Sequence, residues 1–458
     1  MKNENISDIL YVVILYMEIN MNKIEPRILQ GFVEFLPDEQ IAYNKMYDKI
    51  RSVYERFGFL PIDTPVLEYS DVLLAKAGGE TEKQIYRFTK GDADVSMRFD
   101  LTVPLARYVA MHQNDLAFPF KRYHMAKVYR GERPQKGRFR EFTQCDIDVI
   151  GSETLPLIYD AEIPAVIYNV FRELDIGKFT VRINNRKILG GFFEYVGQSD
   201  NVTDIMRIID KLEKIGVEKV GEELGKIGVG DSAIQKILSF ISIDGTCDEI
   251  ISSLRALGVE NATFSDGVDE LDEVISGIRS FGVPDEYFTV DLTIARGLDY
   301  YTGTVYETKL DANPALGSIC SGGRYENLTG YYTDQKLPGI GISIGLTRLF
   351  SQLKEAGIID VSKKSIIDVL VIPMSQSELG AAVEAAAGFR RAGIPCDVYY
   401  LEKGMKPKMK YANRIGVPFT AIIGESERAE GKVALKNMLG DGQETVTVDQ
   451  AIEIIKKA

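Results

Sequence analysis

Apolar side chains recur along this chain with two different periods, and the changes of period mark its elements. Between Pro37 and Tyr54 they fall at helical spacing (Ile41, Met46, Ile50, Val53) after a Pro-Asp start, which predicts a helix opening near Asp38. Pro61 and Pro65 then keep GFLPIDTPVLE (58–68) extended. Residues 84–108 read as a hairpin turning at Gly-Asp, followed by a helix. KRYHMAKVY (121–129) and CDIDVIG (145–151) alternate as strands do and flank a basic loop, so they predict a second hairpin. From about Lys187 to Gly282 the period is helical throughout. DIMRIIDKLEKIG places Ile205, Ile208, Ile209, Leu212 and Ile215 on one stripe, and SAIQKILSFI, CDEIISSLRALG and GVDELDEVISGIRSFG repeat that pattern, each closed by Gly or Asp-Gly.

Strand signals return in FTVDLTIARGLDYYTGTVYETKL (288–310) and around SICSGGRYENL (318–328). A charged stretch with one glycine, 354–365, reads as a linker. Beyond it strands and helices alternate: IIDVLVIPM, ELGAAVEAAAGFRRAG, CDVYYL, KPKMKYANRIG, FTAIIG. A strand pair turning at Gly-Asp-Gly and a last helix close the chain. The pattern predicts an α+β fold with a mostly antiparallel sheet, split by a helical insertion (187–282) and followed by a separate α/β domain over 366–458 with a largely parallel core.

Composition changes this picture little. At 458 residues the chain has room for two or three domains, and 45% apolar with 26% charged residues is ordinary for a soluble globular protein. A net charge of −13 argues mildly against nucleic-acid binding. Contact depends on local field, however, and basic residues concentrate at 121–140 and at Lys403, Lys406, Lys408 and Lys410. Four scattered cysteines and two histidines assemble no zinc site and fit a reducing cytoplasm. The apolar run Ile9–Met17 is too short to span a bilayer, has acidic flanks and lacks a small-residue cleavage site, so it does not read as a signal peptide. Residues 1–20 read as an N-terminal extension, or as a short packed helix, ahead of a second start at Met21.

The densest chemistry lies between Arg130 and Asp148, in RGERPQKGRFREFTQCDID. A loop carrying Arg130, Arg133, Lys136, Arg138 and Arg140 suits polyphosphate, because guanidinium forks grip phosphate oxygens bidentately. A solvated charged turn is the plainer alternative. Two further segments, ARGLDYYTGTVYE (295–307) and PGIGISIGLTRL (338–349), weigh against it. Together these segments resemble the signatures of class II aminoacyl-tRNA synthetases, specifically the histidyl-tRNA synthetase family. VYRGERPQKGRFREFTQ is similar to motif 2, GIGISIGLTRL to motif 3, TPVLE (64–68) to motif 1, and RGLDYY with SGGRYENL to the histidine-binding motifs. The resemblance runs from about Gln30 to the C-terminus.

That resemblance implies a class II catalytic domain over 21–186 and 283–353, and an anticodon-binding domain over 366–458. It implies ATP-dependent ligation of histidine to tRNA(His) through a histidyl-adenylate, with Mg²⁺ bound to the ATP and a homodimer formed near Pro65. The implied catalytic residues are Arg296 and Arg130. ATP would meet Arg130, Glu132, Arg138, Phe142 and Arg348. Histidine would meet Asp100, Thr102, Gln144, Asp148, Arg296, Tyr301 and Tyr325, and tRNA would meet Arg133 and Gln135, with the lysines at 403–410 near anticodon-stem phosphates. Bacterial members usually carry Glu where Asp100 and Asp148 stand, and a shorter acid at 148 needs a pocket adjusted by about one methylene, which leaves open which carboxylate meets the ring. Two rivals share the fold: the regulatory subunit of ATP phosphoribosyltransferase, and a catalytically silent RNA sensor. Retention of Arg130, Arg296 and Arg348 and of the tail after 365 argues against the first, and histidine-driven ATP–pyrophosphate exchange separates all three.

Overall fold

The structure, a computed structural model, describes residues 24–75, 80–133, 137–294, 301–440 and 442–458. In chain order its first strands are β1 (Leu60–Pro61), β2 (Leu67–Tyr69), β3 (Arg87–Lys90), β4 (Ala93–Met97), β5 (Phe120–Tyr129), β6 (Glu141–Ile150), β7 (Phe179–Asn185), β8 (Phe288–Val290), β9 (Tyr301–Leu310), β10 (Cys320–Tyr325) and β11 (Gly339–Gly345). Eight of them form one sheet in the order β1-β5-β6-β11-β10-β9-β7-β8. Its interior pairs are antiparallel, and only the outermost pairs, β1 with β5 and β7 with β8, run parallel. The remaining three make a small sheet, β2-β4-β3.

The two faces of the large sheet are set by strict period-2 alternation. On β6, Cys145, Ile147 and Val149 enter the hydrophobic core, while Gln144, Asp146 and Asp148 line a cleft on the other face. On β11, GIGISIG puts Ile340, Ile342 and Ile344 in the same core and leaves Gly339, Gly341, Ser343 and Gly345 toward the cleft side. Register joins the two patterns, with Gly341 opposite Asp148, Ser343 opposite Asp146 and Gly345 opposite Gln144. Helices Pro37–Arg56 and Ile158–Leu174 cover the core face. Tyr54 donates its hydroxyl to the Cys145 carbonyl (3.0 Å) and Tyr47 to that of Met125 (3.0 Å), which pins the first helix across β5 and β6.

The helical region between β7 and β8 comprises Arg186–Tyr195, Val202–Ile209, Leu212–Lys226, Asp231–Ile241, Cys247–Ala256 and Ala262–Ser280. Asn185, Thr246 and Asn261 cap three of these helices through their side chains, as small polar N-caps do. Helix Leu346–Glu355 follows β11, and Ile358, Ile359 and Val361 still pack on the large core.

The tail builds its own sheet from β12 (Val369–Pro373), β13 (Cys396–Val398), β14 (Phe419–Ile423), β15 (Lys432–Asn437) and β16 (Gln443–Thr447), ordered β13-β12-β14-β15-β16. The first three are parallel and the last two antiparallel. Two apolar clusters drawn entirely from residues after 366 fill its two faces. One expectation is corrected here. Lys408 is no surface contact for RNA: it is 2% exposed and donates to the carbonyls of Pro373 (2.5 Å) and Met374 (3.3 Å), whereas Lys403, Lys406 and Lys410 are exposed. All four cysteines are buried free thiols, and among the described residues no helix is long and apolar enough to cross a membrane.

Candidate active site

A cleft of about 650 Å³ opens on the large sheet over β6, β11, β10 and β9. Its inner end is acidic. Asp148 accepts from the Tyr325 hydroxyl at Oδ1 (2.9 Å), and its Oδ2 forms an ion pair with Arg122, which is 0% exposed. Burial pushes the Asp148 carboxyl up to about 6, with Arg122 and the Tyr325 hydrogen bond opposing the rise. Asp146 is pushed up to about 7, again chiefly by burial against the pull of Arg122, and its Oδ1 has no hydrogen-bond partner among the described residues. Gln144 donates to Ser343 Oγ (2.6 Å), and its own carbonyl oxygen is buried without a partner among the described residues. Asp100 accepts the backbone N–H groups of Thr102 (3.1 Å) and Val103 (3.0 Å), the first two of helix Thr102–His112; burial raises its carboxyl too.

The outer end is basic and aromatic. Arg130 lies between two rings, 4.4 Å from the centroid of Phe99 and 5.1 Å from that of Phe142, and donates Nε to the Phe99 carbonyl (3.2 Å). Arg138 pairs with Glu132 at 3.4 Å, and Arg140 donates to the Glu132 carbonyl (3.0 Å), folding the basic loop back on itself. Arg348, from the first turn of helix Leu346–Glu355, donates to the Leu316 carbonyl at 2.9 Å.

Asp100, Thr102, Arg130, Glu132, Arg138, Phe142, Gln144, Asp148, Tyr301, Tyr325 and Arg348 therefore share one cleft, although 248 positions separate the first from the last. Arg133 is exposed and does not line it. Arg296 and Gln135 lie outside the described residues. Sequence reasoning missed Arg122, Asp146 and Ser343, all of which the alternation of β5, β6 and β11 would have placed on the cleft face. Arg324, beside Tyr325, is structural. It grips Asp160 through Nε (3.1 Å) and Nη2 (2.7 Å) and ties β10 to helix Ile158–Leu174.

Glycine makes the floor possible. A Cβ on Gly341 would stand 2.2 Å from Asp148 Oδ1 and 2.4 Å from the Ile147 carbonyl. Overpacking of this kind costs ~1–3 kcal/mol. Gly341→Ala is therefore expected to lower unfolding stability by that order, whereas Gly345→Ala, whose Cβ would meet nothing closer than 4.0 Å, should lose little. Equal denaturant midpoints for the two variants would refute this account of the floor.

The acids also make a pH prediction. Asp146 ionises near 7 in the fold but at an ordinary carboxylate value when unfolded, so the native state holds the proton more tightly. Its contribution to stability is present at low pH and is lost as pH rises toward 7. Asp146→Asn, which cannot ionise, should raise the ligand-free melting temperature by roughly a few degrees at pH 8 and hardly at all at pH 4. A pH-independent difference between the two melting curves would contradict that assignment.

Chemically, the cleft has two unlike ends. Buried carboxylates suit an ammonium group and polarised ring N–H donors, while the arginines and rings at the mouth suit a phosphorylated purine.

A family model described as histidyl-tRNA synthetase matches residues 31–349, and one described as an anticodon binding domain matches 368–458. The chain is 55% identical over 436 residues to the histidine–tRNA ligase of Clostridium tetani, covering 95% of this chain and 99% of that protein. Among solved structures it resembles the histidyl-tRNA synthetase of Nostoc sp. PCC 7120 at a TM-score of 0.89 and 44% identity, covering 95% of this chain and all of that one. An ATP phosphoribosyltransferase regulatory subunit/histidyl-tRNA synthetase from Bacillus halodurans C shares the fold at a TM-score of 0.72 and 21% identity, over 86% of this chain and 97% of its own.

Proposed function

The chain belongs to the histidyl-tRNA synthetase family, and on that premise we propose how its two-ended cleft divides the work of charging tRNA(His) with histidine. The enzyme is a histidine–tRNA ligase. A carboxylate oxygen of histidine attacks the α-phosphorus of ATP, the bond to the bridging oxygen breaks, and pyrophosphate leaves. The terminal ribose hydroxyl of the tRNA then attacks the activated carbonyl and AMP departs. Neither step needs a nucleophile from the protein, so the residues serve by alignment and charge stabilisation.

Arg130 sits where it can neutralise the α-phosphate and the incoming carboxylate, held in direction by Phe99 and Phe142. Arg296 takes the opposite side of the phosphorus in this reading. Arg138 and Arg348 hold the outer phosphates and the adenine edge, Phe142 stacks on the base, and Glu132 accepts from its exocyclic amine. Mg²⁺ enters with the triphosphate and shields its charge. Among the described residues no group of three carboxylate, imidazole or thiol side chains gathers to hold a metal on the protein alone. At the inner end Gln144, Asp100 and Thr102 meet the ammonium group, while Asp148, Tyr301 and Tyr325 face the ring. A site that hydrogen-bonds both ring nitrogens strongly rejects amino acids that cannot pair with it.

For the tRNA, we assign Arg133 and Gln135 to the acceptor end and the domain after 366 to the anticodon, with exposed Lys403, Lys406 and Lys410 offering phosphate contacts. The helical region 187–282 lies toward the acceptor arm. Exposed Leu67, Tyr69 and Phe88 on the small sheet suit a homodimer near motif 1.

The observation that carries this reading is the meeting of buried acids and arginines in one cleft. Histidine-dependent ATP–pyrophosphate exchange tests it. Exchange driven equally by other amino acids, or absent altogether, would overturn it.

A further inference from the structure

Buried arginines in this fold are of two kinds. Arg324 is saturated: its Nε and Nη2 hold Asp160, and Nη2 also reaches the Leu155 carbonyl at 2.8 Å. Arg122 is wholly buried on β5, directly opposite Asp148 on β6, yet none of its Nε, Nη1 and Nη2 makes a hydrogen bond among the described residues, Nη2 meeting Asp148 as an ion pair alone. A guanidinium kept for architecture would have its fork filled, because unpaired buried donors are costly. What surrounds Arg122 instead is charge. It pairs with Asp148 Oδ2 and bears on Asp146, and more weakly on Asp100.

We propose that Arg122 is a positioning residue for histidine recognition: it holds Asp148 as a fixed anion, so that Asp148 and Tyr325 present oriented acceptors to the substrate ring. This rests on the assignment of the inner cleft to the histidine ring made above. The geometry is specific. Tyr325 spends its one O–H on Asp148 Oδ1, and Arg122 occupies Oδ2. Each carboxylate oxygen keeps a lone pair for a ring N–H. If Asp148 took up a proton, one of those acceptors would become a donor.

Other groups near Asp148 do not replace Arg122. Asp100, before helix Thr102–His112, is an acid that opposes its ionisation, and Asp146 on β6 is an acid whose own carboxyl is raised by Asp148. His124 on β5 is pushed down to about 4, by burial first and by Arg122 next, and is neutral at working pH. Tyr325 on β10 and Tyr301 on β9 are phenols. The facing positions of β11 are Gly341 and Ser343, which carry no charge. Burial alone already lifts the Asp148 carboxyl to about 6 with Arg122 in place, so its loss would carry that value higher.

The test is histidine-dependent ATP–pyrophosphate exchange with saturating ATP, from pH 6 to 9, on the parent, Arg122→Met, Arg122→Lys, Asp148→Asn and the Arg122→Met/Asp148→Asn double variant. At pH 7, Arg122→Met should raise the KM for histidine by roughly 30-fold or more with kcat changed far less. That deficit should shrink as pH rises and Asp148 ionises unaided. The substrate's own titration cancels in the ratio to the parent. The double variant should resemble Asp148→Asn alone, because both lose the same anion. Arg122→Lys keeps the charge without the fork, so it should raise KM only a few-fold and keep the parent pH profile.

A KM ratio flat with pH, additive losses in the double variant, or a defect confined to kcat would overturn the proposal. If Arg122→Met does not fold, Arg122→Lys decides: an unchanged KM, or a loss in kcat alone, overturns it equally. A parent enzyme without histidine-dependent exchange would instead sink the assignment of the cleft.

Discussion

Replacing Arg130 with glutamine should cut the rate of histidyl-adenylate formation by roughly 10²–10³-fold, the usual consequence of losing one preorganised charge at a reacting centre. The size follows from the setting. The guanidinium is clamped between Phe99 and Phe142 and tied by Nε to the Phe99 carbonyl, so it needs no reorganisation when negative charge spreads over the phosphoryl oxygens. Histidine affinity should fall much less, because the proposed function assigns the ring to the far, acidic end. Arg130→Lys should rescue in part, since it restores charge but not the planar fork that the two rings direct. Single-turnover adenylate formation and equilibrium histidine binding on both variants check this. A loss appearing only in binding would move Arg130 out of the transition state and into substrate capture.

Removing residues 366–458 should abolish most tRNA charging while leaving histidine-dependent adenylate formation measurable. The apolar clusters of the tail are drawn from residues after 366, and Ile358, Ile359 and Val361 belong to the large core, so a cut near 365 divides no cluster. Among the described residues, none that lines the cleft comes from the tail. In the proposed function it supplies grip on the far end of a long nucleic acid, and that loss multiplies through effective concentration to a factor of ~10²–10⁴. Charging and exchange, assayed side by side on the shortened enzyme, separate the two roles. A parallel fall in both activities would mean that the tail supports the catalytic fold or its dimer.

Much of this architecture was legible because period and punctuation agreed. The hairpin across the basic loop, the β3–β4 hairpin at Gly91-Asp92, the helices of the inserted region and the alternation after 366 all follow hydrophobic spacing bounded by turn residues. Helix Ile158–Leu174 escaped that reading. It is buried nearly all round between the sheet and the inserted helices and carries Pro164 inside, so it shows neither an apolar stripe nor a clean run. The site was read by motif more than by physics. Arginines in loops advertise phosphate chemistry, and most of those named share the cleft. Arg122, Asp146 and Ser343 give no such signal one at a time. Their meaning comes from register, because only when β5, β6 and β11 are laid side by side do a guanidinium, two carboxylates and a hydroxyl fall in one patch. Lys408 failed for the converse reason: a lysine in a basic run was counted as surface, but its turn of helix faces the carboxyl end of β12.

The glycines of β11 and of its neighbour β10 also bear on how this enzyme could be inhibited. A compound lying flat on Gly341 and Gly322 would touch peptide planes instead of side chains. A target usually escapes an inhibitor by enlarging a contacted residue, and here enlargement is self-defeating: a methyl group on Gly322 would stand 2.0 Å from the Gly341 carbonyl, and one on Gly341 would displace Asp148. Drug resistance would have to arise at the rim, around the arginines and phenylalanines of the mouth, where, in the proposed function, change costs the enzyme its own nucleotide.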